Sequence, residues 1–214
     1  RWGAAWTWFT GIVLLYLIFW KGNMGMGLTD GNTMFDGGKH GVDITPVSHT
    51  LLLLTFLTVF LYDFFYKSSL GKNTRVATII SFAFVAAMIW IMKTYGYFEY
   101  RALNIHIGAM FGTIMAFNVW FRIWPAQQRI ITAIKGGEAP NASDVGLAGL
   151  RSKHNTYMSI PLIWTMINEH HVILKGGDSW YNQIPGEVWI IGMVALGWHI
   201  VFQLYRKSAK VKGF

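Results

Sequence analysis

The sequence predicts an all-α fold, a polytopic transmembrane helix bundle of about six spans with its N- and C-termini cytoplasmic. Three observations lead there. Hydrophobic residues make up 53% of the chain and charged residues 13%, about half the charged share of a soluble domain. Helix-length apolar runs recur between short polar links. Threaded through a bilayer, those runs gather most Lys and Arg on one side, as cytoplasmic loops do.

The runs lie near 2–20, 45–66, 76–95, 102–123, 155–174 and 186–205, and the whole of 1–214 reads as one integral-membrane domain. Each run approaches the roughly 20 apolar residues that cross a hydrocarbon core. The first, WGAAWTWFTGIVLLYLIFW, carries Trp at both ends, as interfacial anchors do. Residues 21–44 form a Gly-rich loop without helical period. Pro46 suits the first turn of the second span, and His49 follows just inside. KSSLGKNTR links to the third span and TYGYFEY to the fourth. The fourth run, between Arg101 and Arg122, holds His106 and the small pair Gly108 and Gly112 in GxxxG spacing. Small residues let a neighbouring helix approach closely, which places this helix at the centre of the bundle.

From Trp124 to Lys153 runs the longest polar connection. Within it Pro125 predicts a helix start, Gly136 a stop, and Ile130, Ile131 and Ile134 an apolar side. That pattern predicts an interfacial helix over 125–135, lying on the membrane with Arg129 and Lys135 toward head groups. In the fifth span Pro161 predicts a kink near Tyr157. The sixth closes on the basic stretch LYRKSAKVK.

One side of this arrangement takes Arg1, Lys67, Lys72, Arg75, Arg122, Arg129, Lys135, Arg151, Lys153 and the basic residues from Arg206 onward. The other keeps Lys21, Lys39, Lys93, Arg101 and Lys175. The net charge of +8 is therefore a topology signal, which sets nucleic acid aside as a partner. No signal peptide is visible, and a chain opening on Arg1 is expected to be processed or part of something longer. Zero Cys excludes disulfides, thiolate metal sites, iron–sulfur clusters and c-type haem attachment within this sequence.

The same topology sorts the histidines by depth. His49, His106, His170 and His171 fall near the outer ends of their spans, whereas His154 and His199 belong to the inner half. Imidazoles from separate helices at matching heights are what a bundle needs to hold b-type haem by bis-His ligation. His106 with His170 or His49 would ligate an outer haem, and His154 with His199 an inner one, giving one or two haem b groups. His154 sits about 6 Å shallower than His199 at 1.5 Å per residue, a misfit for the inner pair. A metal site without porphyrin stays open, since neutral imidazole also suits copper or iron. The competing reading for each is a histidine hydrogen-bonded to the next helix. His40 has no assignable role. Asn118 and Asn168 read as helix glue or the lining of a small polar cavity, and Glu169 as a helix-end carboxylate beside His170.

The runs HIGAMFGTIMAFNVWFRIWPAQQRIITAIKGGEAP and RSKHNTYMSIPLIWTMI resemble the membrane domain of the cytochrome-linked urate oxidase (urate hydroxylase) family. The opening AAWTWFTGIVLL, the SLGKN of residues 69–73 and the last span with His199 are similar as well. The resemblance implies a multi-pass protein of the bacterial inner membrane that oxidises urate towards 5-hydroxyisourate and passes electrons to a cytochrome c. It also implies functional roles for His106, the run His154-Asn155-Thr156-Tyr157, His170 and His199. Family members carry further N-terminal spans, and many end in a c-type cytochrome with CxxCH. With no Cys here, that cytochrome is expected on another chain or on a further part of a longer protein. The loop 21–44 and His49 match no family motif.

Three functions follow for comparison. The first is a membrane redox protein with b-type haem and urate as the implied substrate, acting as urate oxidase or as its electron-transfer subunit. The second is a cofactor-free structural or accessory subunit of a respiratory or photosynthetic complex, contacting other membrane subunits. The third, a transporter or channel, ranks last, because mid-membrane charge is nearly missing and no inverted repeat shows.

Overall fold

The computed structural model describes residues 1–21, 46–98, 100–170, 184–208 and 210–211. The loop 22–44 with His40, and residues 171–174 at the end of the fifth predicted span with His171, lie outside the described residues. All long elements described are helices: α1 (Trp2–Leu15), α2 (Pro46–Phe65), the one-turn α3 (Ser69–Lys72), α4 (Thr74–Thr94), α5 (Tyr100–Asn118), α6 (Trp124–Lys135), α7 (Ala142–His170) and α8 (Gly186–Ser208). Two π-helical segments, Tyr16–Lys21 and Val119–Ile123, continue α1 and α5.

Five stretches among the described residues are long and apolar enough to cross a membrane: Trp2–Trp20, Pro46–Phe65, Thr74–Thr94, Tyr100–Lys135 and Gly186–Ser208. The described part of the fifth predicted run, 155–170, belongs to the 29-residue α7, which begins at Ala142 rather than near 155. Asn141 starts it early. Its Oδ1 accepts from the Ser143 N–H at 2.9 Å, and its carbonyl accepts from Asp144 and Val145, satisfying donors that a helix start leaves open. Most of the expected polar connection from Trp124 to Lys153 is therefore helical.

The predicted helix 125–135 is present as α6. It continues α5 without a break, so that Tyr100–Lys135 runs 36 residues as one helical stretch. Pro125, in the first turn of α6, has no N–H to give the preceding turn, and the Arg122 Nη1 donates to the Phe121 carbonyl at 3.2 Å in its place. Just before it the π segment changes the hydrogen-bond register, with the Trp124 N–H donating to the Val119 carbonyl. The stop comes at Gly136 and Gly137, and Gly137 takes φ +75, a left-handed conformation that suits glycine.

α5 is the axis of the bundle. Its buried residues include Ala102, Leu103, His106, Ile107, Met110, Phe111, Ile114 and Asn118, which cover nearly every face. It packs chiefly on α7 and α2, with α1 and α4 beside it, while α8 leans on α7 and α4. Gly108 explains the close approach of α7: a Cβ there would lie 2.6 Å from Thr165 Oγ1. Gly112 meets nothing within 4 Å, so only the first glycine of the GxxxG pair makes a helix contact. α1 keeps Trp2, Trp6, Phe9 and Leu14 exposed. Its hold on α5 includes the bond from Trp8 Nε1 to Thr113 Oγ1, 3.0 Å.

Candidate functional site

Two polar layers interrupt the apolar core, one near each end of α5. His106 and Asn118, twelve residues apart, set them about 18 Å apart at 1.5 Å per residue.

The first layer centres on His106, which is fully buried. Its Nδ1 lies 2.7 Å from the Ala102 carbonyl. A carbonyl only accepts, so Nδ1 carries the proton. Nε2 then presents its lone pair, which accepts from the indole N–H of Trp20 at 3.2 Å. The walls are aromatic: Phe98 at 4.7 Å and Phe19 at 6.5 Å between ring centroids. The π segment 16–21 delivers Phe19 and Trp20, both buried on a helix whose other residues mostly face outward. The Trp20 ring also touches His49, with centroids 5.2 Å apart. Around this layer Asn168 Nδ2 donates to the Tyr100 hydroxyl at 2.7 Å, tying the end of α7 to the start of α5. His170 ends α7, but its side chain lies outside the described residues.

The second layer is an ion-pair knot. Asp63, near the end of α2, accepts from Arg122 Nε at 2.8 Å and from Arg122 Nη2. It also accepts from the buried Arg151 at 3.1 Å and from Lys67 at 2.7 Å. The Arg151 guanidinium lies over Tyr62 and Tyr66, at 4.9 and 5.7 Å from the ring centroids. The Tyr62 hydroxyl accepts from Asn118 Nδ2 at 3.0 Å and stands 2.7 Å from His154 Nδ1. Asn118 donates as well to Asn155 Oδ1 at 2.9 Å, and Asn155 to the Met115 carbonyl at 3.2 Å. Buried polar groups are expected to be bonded in this way. In this knot Arg151 Nε, Arg151 Nη1 and Asn118 Oδ1 are among the buried atoms that have no hydrogen-bond partner.

The structure thus gathers His106 and His49 around one indole, and it turns His154 toward α2. His154 and His199 do not meet. His154 packs on Tyr66 with centroids 4.3 Å apart, whereas His199 is exposed on α8 and contacts Gln203 of its own helix at 3.2 Å. The cause is azimuth. α8 packs inward through Ile190, Val194, Gly197 and Val201, and His199 lies two residues, about 200° of rotation, past Gly197. Trp20, Asp63, Arg122 and Arg151 are site residues that the apolar pattern leaves unmarked. A lone acid beside a basic cluster was the available signal for Asp63.

A b-type haem asks for imidazole nitrogens with available lone pairs inside an apolar, aromatic surround. The first layer fits in donor chemistry, at His106 Nε2 with His49 nearby, provided that Trp20 gives up its hydrogen bond. The second layer does not fit: His154 Nδ1 is engaged by Tyr62, and His199 faces away. Among the described residues, no three His, Cys, Asp or Glu side chains gather as a metal-binding cluster.

No curated protein and no solved structure matches the chain. A family model does, that of the urate oxidase N-terminal family, over residues 1–211. The chain belongs to the urate oxidase N-terminal family.

Proposed function

We propose that the chain is an integral-membrane redox protein that takes electrons from urate and delivers them to a cytochrome c, with a b-type haem held at the His106 layer. In the balanced reaction urate takes up one water and releases two protons and two electrons, giving 5-hydroxyisourate, and the two electrons reduce two cytochrome c haems one at a time. Family membership supports the oxidoreductase assignment and the substrate. The observation that carries the redox reading is the state of His106, a buried neutral imidazole oriented by its own backbone with Nε2 as the acceptor. A second-sphere bond of this kind fixes tautomer and ring orientation in metal-ligating histidines.

His106 and His49 would hold the haem, with His170 as the further candidate. When bound, the group supplies a one-electron relay between a two-electron donor and a one-electron acceptor. Phe19 and Phe98 keep water from the imidazole, and the Ala102 carbonyl holds the ring at one angle. The five apolar stretches support insertion in a membrane. The basic ends of α2, α5 and α7 support a cytoplasmic side at the ion-pair knot, in the inner membrane of a bacterium. The cytochrome c and further membrane subunits are the partners this reading calls for.

The indole bond favours a second reading, a cofactor-free accessory subunit, because both ring nitrogens of His106 already have partners. A reduced-minus-oxidised spectrum of purified protein separates the two. The redox reading expects a b-type band, reduced by urate and lost in His106→Gln but kept in His199→Ala. No band in fully loaded wild-type protein leaves the accessory reading.

A further inference from the structure

We propose that the outward face of α8 is the contact between two copies of this chain lying side by side in the membrane. The inference rests only on the membrane part of the reading above. α8 carries two seams of alternating three- and four-residue spacing, the repeat by which parallel helices mesh. The first, Ile190, Val194, Gly197 and Val201, is buried, and a Cβ at Gly197 would press on Ile160 and Pro161 of α7. The second, Val188, Gly192, Ala195, His199 and Phe202, begins two residues earlier, about 200° round the helix. All five are exposed, Val188 by 51% and Phe202 by 50%. At its middle the outward seam is low. Nothing lies within 4 Å of a Cβ built at Gly192, and Ala195 follows it by about one turn. Small residues let the backbone of a second helix come close.

The polar residues decide the occupant. His199 stands seven residues before Arg206, about 10 Å inside the basic end of the helix, where lipid tails offer neither donor nor acceptor. The Gln203 Nε2 lies 3.2 Å from His199 Nε2. An amide nitrogen only donates, so Nε2 accepts and Nδ1 carries the proton. Each chain is left with a donor, His199 Nδ1–H, and an acceptor, Gln203 Oε1, that have no bond among the described residues. Copies inserted the same way lie parallel, and a two-fold axis along the membrane normal sets each seam against its own equivalent. The spare N–H of one copy then meets the spare carbonyl of the other, twice over. A foreign helix would have to supply both groups at matching heights; a second copy has them by symmetry.

The sequence has no Cys, so single-cysteine variants report without background. The test is oxidative cross-linking of the intact chain in phosphatidylethanolamine–phosphatidylglycerol liposomes, repeated as added lipid dilutes the protein. Ala195→Cys should give a covalent dimer that persists on dilution, and Phe60→Cys, exposed on α2, should not. In the Ala195→Cys background, Gly192→Ile, which crowds the seam, and Gln203→Leu, which removes the acceptor, should each weaken dimerisation about tenfold, with circular dichroism near that of wild type. Equal cross-linking of Ala195→Cys and Phe60→Cys, or a dimer lost on dilution, means chance collision and overturns the proposal. So does a Gly192→Ile protein that dimerises as before. In cell membranes, a cross-link from Ala195→Cys to a different protein, identified by mass spectrometry, gives the seam to another partner and likewise overturns the second copy. Protein stripped from the liposomes by carbonate removes the membrane reading and the seam with it. Reduction of cytochrome c by urate in the same liposomes reports separately on the function.

Discussion

Replacing Asp63 by Asn tests the ion-pair knot most directly. Among the described residues, the carboxylate is the one acidic partner of Arg122, Arg151 and Lys67. Lys67 is 60% exposed and returns to water at little cost. Arg151 cannot, because its side chain is 2% exposed under two tyrosine rings. Removing one partner of a buried pair typically costs about 3–5 kcal/mol, since the other charge stays buried and unpaired. At roughly 2–4 °C per kcal/mol for a chain of this size, the unfolding temperature should fall by about 6–20 °C. The assay is thermal unfolding followed by circular dichroism in a fixed detergent. Adding Arg151→Met to Asp63→Asn should return much of the loss, because the stranded cation is then gone and the two changes are coupled. A loss below about 1 kcal/mol, the value of exposed ion pairs, would refute the reasoning and mean that the knot is hydrated.

Three further outcomes follow from the packing. Gly108→Ala drives a methyl against Thr165 and should cost about 1–3 kcal/mol, whereas Gly112→Ala, with open space beside it, should gain up to about 1 kcal/mol of helix propensity; matched denaturation curves that show equal effects would contradict the α5–α7 contact. Trp20→Phe strips the donor from His106 Nε2 and should cost about 1–3 kcal/mol as a buried acceptor loses its partner, read by denaturant titration. Arg129 holds the Asp144 carboxyl below its ordinary value of 3.8. With the folded value depressed, the contact stabilises above pH 3.8 and is lost as pH falls through the lower folded value. Hydrogen exchange in the α6–α7 turn, residues 136–141, should therefore rise in acid in wild type and be high at every pH in Arg129→Ala.

Depth was legible in the sequence and azimuth was not. Counting 1.5 Å per residue puts His106 and His49 in one layer, and the structure has the Trp20 indole touching both. The same count says nothing of which way a side chain faces, and so it pairs His154 with His199 although their helices turn them apart. In an all-apolar run every face looks alike, since lipid and core are equally greasy. Trp20 illustrates the loss: at the end of a Trp-rich span it reads as an interfacial anchor, yet it is 3% exposed and bonded to His106. Arg122 and Arg151 were absorbed into the sidedness count, which sums charges and ignores their partners. The early start of α7 was hidden because its first turns are polar, and polarity between apolar runs reads as loop.

The unbroken helical stretch from Tyr100 to Lys135 carries one last implication. Thirty-six residues extend about 54 Å along a helix, while a hydrocarbon core is about 30 Å thick. Set in a bilayer as proposed, with Tyr100 at one boundary, the stretch would overhang by roughly 24 Å on the basic side, where Arg129 and Asp144, 3.0 Å apart, tie it to the start of α7. On the membrane reading proposed above, such a headed peg would enter lipid in one direction only, because inverting it would drag Arg129, Lys135, Asp144 and Arg151 through oil.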